Sequence, residues 1–161
     1  MKIYEILVPD LQQEVALTEK FLRRVPEEKF DWRPHPKSMT MKELVNHLAE
    51  IPSWITGTME MDEMEMSGYK SPSFDTIDQI VQSLKNNASE AEAAMKKPDE
   101  EYQKNWKMLK DGEPLLEMSK LDVLRTMVMN QLPHHRAQLG VYLRLLDMPV
   151  PASYGPSADE N

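Results

Sequence analysis

The chain contains no cysteine. That absence excludes disulfides, a thiolate nucleophile and thiolate metal ligands, so any thiol chemistry must arrive with a bound cofactor or substrate. Long apolar runs are missing as well: no stretch reaches the roughly 18 consecutive apolar residues that span a bilayer. The N-terminal segment Met1-Lys2-Ile3-Tyr4-Glu5 lacks the apolar core and small-residue cleavage site of a signal peptide. A cytoplasmic protein with no membrane association is the expectation. Basic residues are in deficit, leaving a net charge of −8. An acidic chain repels phosphate backbones, so nucleic acid is not an expected partner. Glycine is scarce, and no internal repeat or low-complexity block is present.

What remains is a chain of 161 residues, 40% of them hydrophobic, which suits one domain spanning residues 1–161 with a real core. The 13 methionines read as adaptable core filler. Leu11, Val15, Thr18, Leu22 and Val25 recur at helical spacing and predict a first helix over about 2–24, with Pro9 near its start. A proline-rich loop follows, centred on Trp32-Arg33-Pro34-His35-Pro36. Thr40 and Glu43 form a capping box at the start of the second helix. Its stripe of Leu44, Leu48, Ile51 and Ile55 runs through Pro52, which is expected to bend the helix without ending it. A third helix begins near Asp75 or Thr76 and fades before Pro98. Residues 101–117 do not read as helical; Asp111-Gly112 offers a tight turn and predicts a short hairpin. A fourth helix starts at the Ser119 cap and runs to about Leu146, and an extended tail over 147–161 is expected to lie against the body. The acidic run Glu60 to Glu65 reads as a solvated surface segment. The fold class implied is all-α, a four-helix bundle with a short hairpin between the third and fourth helices.

The chemistry concentrates on four histidines, His35, His47, His134 and His135. With Leu124 placed at zero and an advance of about 100° per residue, Val128, Gln131, His135, Leu139, Tyr142 and Leu146 fall within roughly 60° of it. Gln131 and His135 are therefore expected in the buried stripe, one turn apart. His134 falls at its edge, and Arg136 points well off it. Pro133 lies between the two stripe residues and predicts a kink that re-aims one relative to the other. On the second helix, His47 lies at the inward edge between Leu44, Ile51 and Trp54. Bundle cores bring such faces together and house metals there. His47, His135 and Gln131 are thus candidate ligands for a divalent ion such as Zn, Ni, Fe or Mn, with Gln131 contributing a weak, uncharged amide. The competing reading is of core histidines satisfied by hydrogen bonds. Trp54, Asn130, His134 and Arg136 are supporting or pocket candidates. Trp32 and Trp106 read as packing residues, and His35 as a loop residue.

Three stretches carry a resemblance to a known family: Trp32 to Met39 followed by ELVNHLAE at 43–50; NQLPHHRAQLGVYLR at 130–144; and the tail PVPASYGPSADE at 149–160. In order and spacing they resemble the DinB family, a bundle superfamily that also includes thiol-dependent transferases and isomerases. The resemblance implies a metal site built from one histidine of the second helix and an H-x-x-x-H pair late in the last. His47 matches the first, and His135, directly before Arg136, matches the last. Gln131 occupies the middle position. The resemblance therefore implies one of two things. Either the chain is a metal-dependent enzyme, a thiol S-transferase or a hydrolase acting on a small molecule, with a low-molecular-weight thiol as co-substrate; or it is a metal-free, non-catalytic binding or stress-response module in which Gln131 has replaced a ligand. It also implies a homodimer.

Overall fold

The structure is a computed structural model describing residues 1–161. Helices α1 (Ile3–Leu22), α2 (Met41–Glu50), α3 (Ser53–Glu60), α4 (Ile77–Ala94), α5 (Asp99–Tyr102), α6 (Lys120–Val123) and α7 (Gln131–Leu145) are joined by a small sheet of β1 (Glu63–Glu65), β2 (Asn105–Lys110) and β3 (Glu113–Ser119). The bundle expectation holds for the long helices: α4 and α7 each pack against both α1 and α2. Leu11, Leu44, Leu48, Ile80, Leu84, Leu132 and Leu139 fill its centre with no exposed surface. No helix is long and apolar enough to cross a membrane.

The chain is not purely helical, which corrects the all-α expectation. The hairpin forms where Asp111-Gly112 places it: both residues adopt positive φ, 53° and 78°, the geometry whose twist matches flanking antiparallel strands. The third strand was not expected. β1 lies within the acidic run read as solvated surface, and pairs parallel to β2 with Glu63 opposite Lys107. Three residues alternating Glu-Met-Glu present too little apolar pattern to signal a strand; only Met64 turns partly inward.

Helix 2 continues past Pro52 as two segments. Thr40 and Glu43 cap α2 reciprocally. The proline has no N–H to donate, so the ladder breaks over Ile51-Pro52 and resumes in α3, with Pro52 itself in helical geometry. Loop 31–39 is fixed to α7 by the Trp32 ring edge-on to Tyr142 at 5.5 Å and by the Tyr142 hydroxyl donating to Met39 O at 3.0 Å. This sets the position of α2.

The last helix is interrupted, and the interruption changes what it buries. Residues Leu124–Met129 form a π turn between α6 and α7, and Asn130 N bonds Arg125 O, five residues back, at 3.0 Å. The wide turn sits immediately upstream of Pro133, whose ring crowds the carbonyl of Met129. A π turn takes up about one extra residue per turn, so the buried column slips by one position just downstream, while Leu139 and Tyr142 stay buried as expected. Leu132 and Arg136 enter the core, and Gln131 and His135 move to its half-buried flank. Arg136, expected off the stripe, is 2% exposed.

A buried guanidinium requires a partner. Arg136 Nη1 donates to Glu14 Oε2 at 2.6 Å and to Thr18 Oγ1 at 3.3 Å, both on α1. Its Nη2 donates to the Tyr154 hydroxyl at 2.7 Å, which in turn donates to Glu14 Oε1 at 2.6 Å. The tail is thereby pinned to the bundle, helped by Arg144 to Asp159 and Arg24 to Glu160, each at 2.6 Å. One step along, a Cβ on Gly140 would come within 3.3 Å of Phe21. The pairs 14–136 and 21–140 show that α1 and α7 run in the same direction. Lys120, also buried, ties the sheet end to the bundle through Glu101 at 2.9 Å and Asp62 at 3.3 Å.

Removing Arg136 leaves Glu14 buried and uncompensated. Arg136→Ala is expected to lower the unfolding free energy by about 3–5 kcal/mol in urea titrations, whereas the paired change Glu14→Gln with Arg136→Met should recover much of that loss. Equal losses in both proteins would show that packing, not charge pairing, dominates.

Candidate functional site

The one-residue slip carries His135 out of the core centre and toward α2. There its ring meets that of His47 edge-on, with centroids 4.6 Å apart and planes at 81°. His134 stands on the other side of His135, at 4.8 Å and 74°, with its own side chain exposed. Three imidazoles therefore form a row from α2 to the surface of α7.

Each ring is oriented by a neighbour. Nδ1 of His135 meets Gln138 Oε1 at 2.8 Å. Of the two tautomers, the one protonated at Nδ1 donates to this oxygen and keeps a lone pair on Nε2. The same amide turns its nitrogen to His134 Nε2 at 3.2 Å. Nδ1 of His47 faces Glu50 Oε2 at 3.6 Å, a charge contact rather than a hydrogen bond. Glu50 is 3% exposed and accepts a short hydrogen bond from the Tyr69 hydroxyl. Tyr69 packs in turn against Trp54, ring centroids 6.0 Å apart.

These surroundings set the charge state. Burial pushes the His135 imidazole below its ordinary range; the Gln138 hydrogen bond opposes this, and His47 and His134 depress it further. Burial pushes the Glu50 carboxyl up, but His47, Tyr69 and Ser71 outweigh it and hold the group below the usual carboxylate range. Burial and the Glu50 carboxylate raise the Tyr69 phenol, which stays protonated. The cluster therefore sets a His135 imidazole biased toward its neutral form, and the His47 ring, beside one buried anion.

His47 also borders an open cleft of about 590 Å³, whose polar walls include Thr40, Lys42, Asn46, Ser71 and Ser73. Asn46 builds the far wall: its Oδ1 accepts from Phe74 N at 2.7 Å, and its Nδ2 donates to Phe74 O at 3.2 Å and Lys42 O at 2.9 Å. One turn of α2 thus supplies a loop anchor, an imidazole and a carboxylate.

Of the residues singled out in the sequence, His47, His135 and His134 come together, and Trp54 is linked to them through Tyr69 and Glu50. Gln131 is half-buried as the first residue of α7. Asn130 closes the π turn with its side chain exposed. Arg136 faces α1, away from the histidines. No group of three or more His, Cys, Asp or Glu side chains converges closely enough to hold a metal ion. Glu50, Tyr69 and Gln138 were missed. Glu50 and Gln138 stand three residues beyond His47 and His135, on the same helix faces, and that spacing could have found both. Nothing local marks Tyr69, which a loop delivers.

The sequence profile of the DinB family matches residues 5–161. No curated protein matches significantly. Among solved structures, a DinB-like protein from Bacillus cereus ATCC 10987 aligns with a TM-score of 0.68 at 22% identity, over 89% of this chain and 92% of that one. A DinB-like protein from Bacillus subtilis gives 0.69 at 16% identity, over 93% and 98%. A mycothiol-dependent maleylpyruvate isomerase gives 0.51 at 9% identity, over 98% of this chain and 64% of that one. These likenesses establish the fold.

The depressed His135 pKa has a consequence for stability. The folded state resists the proton that the unfolded chain accepts, so stability is complete above the ordinary imidazole value of 6.5 and falls as pH drops below it. Thermal melts of the metal-free protein between about pH 8 and about pH 5 should show the wild type losing more than His135→Gln. Parallel pH profiles would remove His135 as the cause.

Proposed function

The chain belongs to the DinB family, and from that premise we propose that it is a metal-dependent enzyme that binds a divalent ion through His47 and His135, with Gln131 as a weak third ligand. The observation that carries this reading is the orientation of the two rings. Nδ1 of His135 pairs with Gln138 at 2.8 Å and Nδ1 of His47 faces Glu50 at 3.6 Å, so both rings point Nε2 away from these neighbours. That is the arrangement of metal-ligating histidines, whose second nitrogen is held by a carboxylate or carbonyl oxygen. His47 lies at the cleft margin with the His135 ring against it, and burial favours the neutral form of His135 that ligation needs.

The donor set fits a borderline ion such as Zn, Ni, Fe or Mn bound through nitrogen and oxygen. Two imidazoles and an amide leave positions open to solvent or substrate, as catalytic rather than structural sites do. When bound, such an ion supplies Lewis acidity that lowers the pKa of a thiol or water at neutral pH. The chain's own residues would do the rest. His47 and His135 fix the ion at the cleft, Gln138 locks the His135 tautomer, and Thr40, Ser71 and Ser73 offer hydrogen bonds to a polar reactant. Because the chain has no cysteine, a reacting thiol would be a low-molecular-weight co-substrate, giving a thiol S-transferase; with water in its place the activity would be hydrolytic. One solved structure with a similar fold is a mycothiol-dependent isomerase, which is compatible with the thiol branch. A homodimer is part of the proposal, and exposed Val141 and Leu145 on α7 are apolar residues it would cover.

A second reading, a metal-free binding module, is favoured by one observation: three charged or imidazole donors do not converge. Metal analysis separates the two. After exposure to Zn, Ni or Mn and desalting, the enzyme reading expects about one equivalent retained, lost in His47→Ala and His135→Ala. If the wild type retains none and Gln131→His retains one, the second reading stands and the first falls.

A further inference from the structure

The segment that leads from β1 toward α4 is held firmly at its ends and loosely between them. At the near end Met66 N donates to Leu109 O at 2.8 Å. The Glu65 carboxylate accepts from Ser67 N at 2.7 Å, Asp111 N at 3.2 Å and Gly112 N at 3.0 Å, which fastens the chain to the hairpin turn. At the far end the paired Asn46–Phe74 hydrogen bonds and the Lys42–Asp75 contact at 2.6 Å fasten it to α2. Between these anchors the residues from Gly68 to Ser73 are all exposed. Neither Gly68 nor any residue from Lys70 to Ser73 makes a backbone hydrogen bond. Yet Ser71, Pro72 and Ser73 line the cleft beside His47, together with Thr40, Lys42 and Asn46 of the helix and its cap.

We propose that residues 68–73 are a hinged flap that governs entry to the cleft at His47, with Gly68 as the hinge and the Tyr69 hydroxyl on Glu50 as the latch. This concerns access alone and stands whether or not an ion binds there. Gly68 has φ 76°, in the left-handed region that glycine enters without steric cost. A Cβ there would meet nothing within 4 Å, so this residue can change conformation without disturbing a neighbour. Tyr69 is 42% exposed, but its hydroxyl reaches inward to the buried Glu50 carboxylate. Its ring leans on Trp54, with centroids 6.0 Å apart. These contacts tie the middle of the flap to the body. The latch is releasable because its partner is a hydroxyl and not a lysine or arginine. When the flap lifts, water replaces the phenol on the carboxylate, and no charge is left buried and bare. Exposed backbone without hydrogen bonds marks a segment that opens locally, and a few residues that absorb the φ/ψ change serve as hinges of such flaps.

Two rates measured on the full, metal-free chain test the proposal. Trypsin cleavage after Lys70 reads opening of the flap, with Lys85 inside α4 as the reference for global unfolding. Acylation of His47 by diethyl pyrocarbonate at neutral pH, followed by peptide mapping, reads entry to the cleft, with exposed His35 as the internal standard. Tyr69→Phe removes the latch hydroxyl and keeps the ring. It should speed cleavage at Lys70 by about tenfold or more, as expected for a hydrogen bond to a charged group, and raise His47 acylation relative to His35. Gly68→Ala touches no latch atom and acts through φ alone. It should raise the same two rates, cleavage by about 5- to 30-fold. Wild-type rates at both positions in Tyr69→Phe overturn the latch. Faster cleavage with His47 acylation unchanged overturns control of entry. A rise shared equally by Lys85 marks global unfolding and overturns the flap. Should Tyr69→Phe fail to fold, Gly68→Ala decides by the same pair of rates.

Discussion

Arg136 is the side chain on which the last helix is hung. Its guanidinium reaches across the core to Glu14 and is shared with Thr18 and Tyr154. With that residue turned toward α1, its neighbour His135 is carried about 100° round the helix, onto the side that faces α2. The meeting of His135 with His47 is thus the outer consequence of an ion pair made inside. Such pairs add little net stability over an apolar replacement but strongly disfavour any register that leaves one charge alone. In this helix, a slip of one residue would strand both Arg136 and Glu14.

Pro133 and the π turn give the chain the means to reach that register. A regular helix from Ser119 to Leu146 would centre Gln131 and His135 in the core, which is what periodicity reads from the sequence. The proline makes the regular ladder costly at that point, and the widened turn ahead of it absorbs one residue. Periodicity assumes a constant angle per residue, so it placed Leu124, Val128, Leu139 and Tyr142 correctly on the buried face and missed the exchange of Gln131 and His135 for Leu132 and Arg136. It still chose His135 over His134 as the inward ring, because the slip moves both together and leaves their order unchanged.

Capping and turn chemistry were legible where the signal was local: the Thr40–Glu43 box, the Ser119 cap and the Asp111-Gly112 turn stand where their residues place them. β1 was not legible, because its pairing partner lies more than 40 residues away and its own pattern is two glutamates and a methionine. Burial of Glu14 was legible in principle. It lies three residues beyond Leu11 on the face of Leu7, Thr18 and Phe21, and an acid in an apolar stripe asks for a base elsewhere. For the candidate site, the two imidazoles came from helix faces. The anion beside one of them stands three residues beyond His47 on the same face; the phenol that a loop brings to it has no local signal.

The Glu14 network also imposes an order on synthesis. Its partners Arg136 and Tyr154 follow it by 122 and 140 residues. At about 5–20 residues per second, a nascent chain waits roughly 6–24 s between translating the acid and translating its base. Throughout that interval α1 can meet α4 but not α7, and closure around Glu14 depends on a long-range contact, the slow kind. The segment carrying Tyr154, made after both α1 and α7, is what completes the network around Glu14.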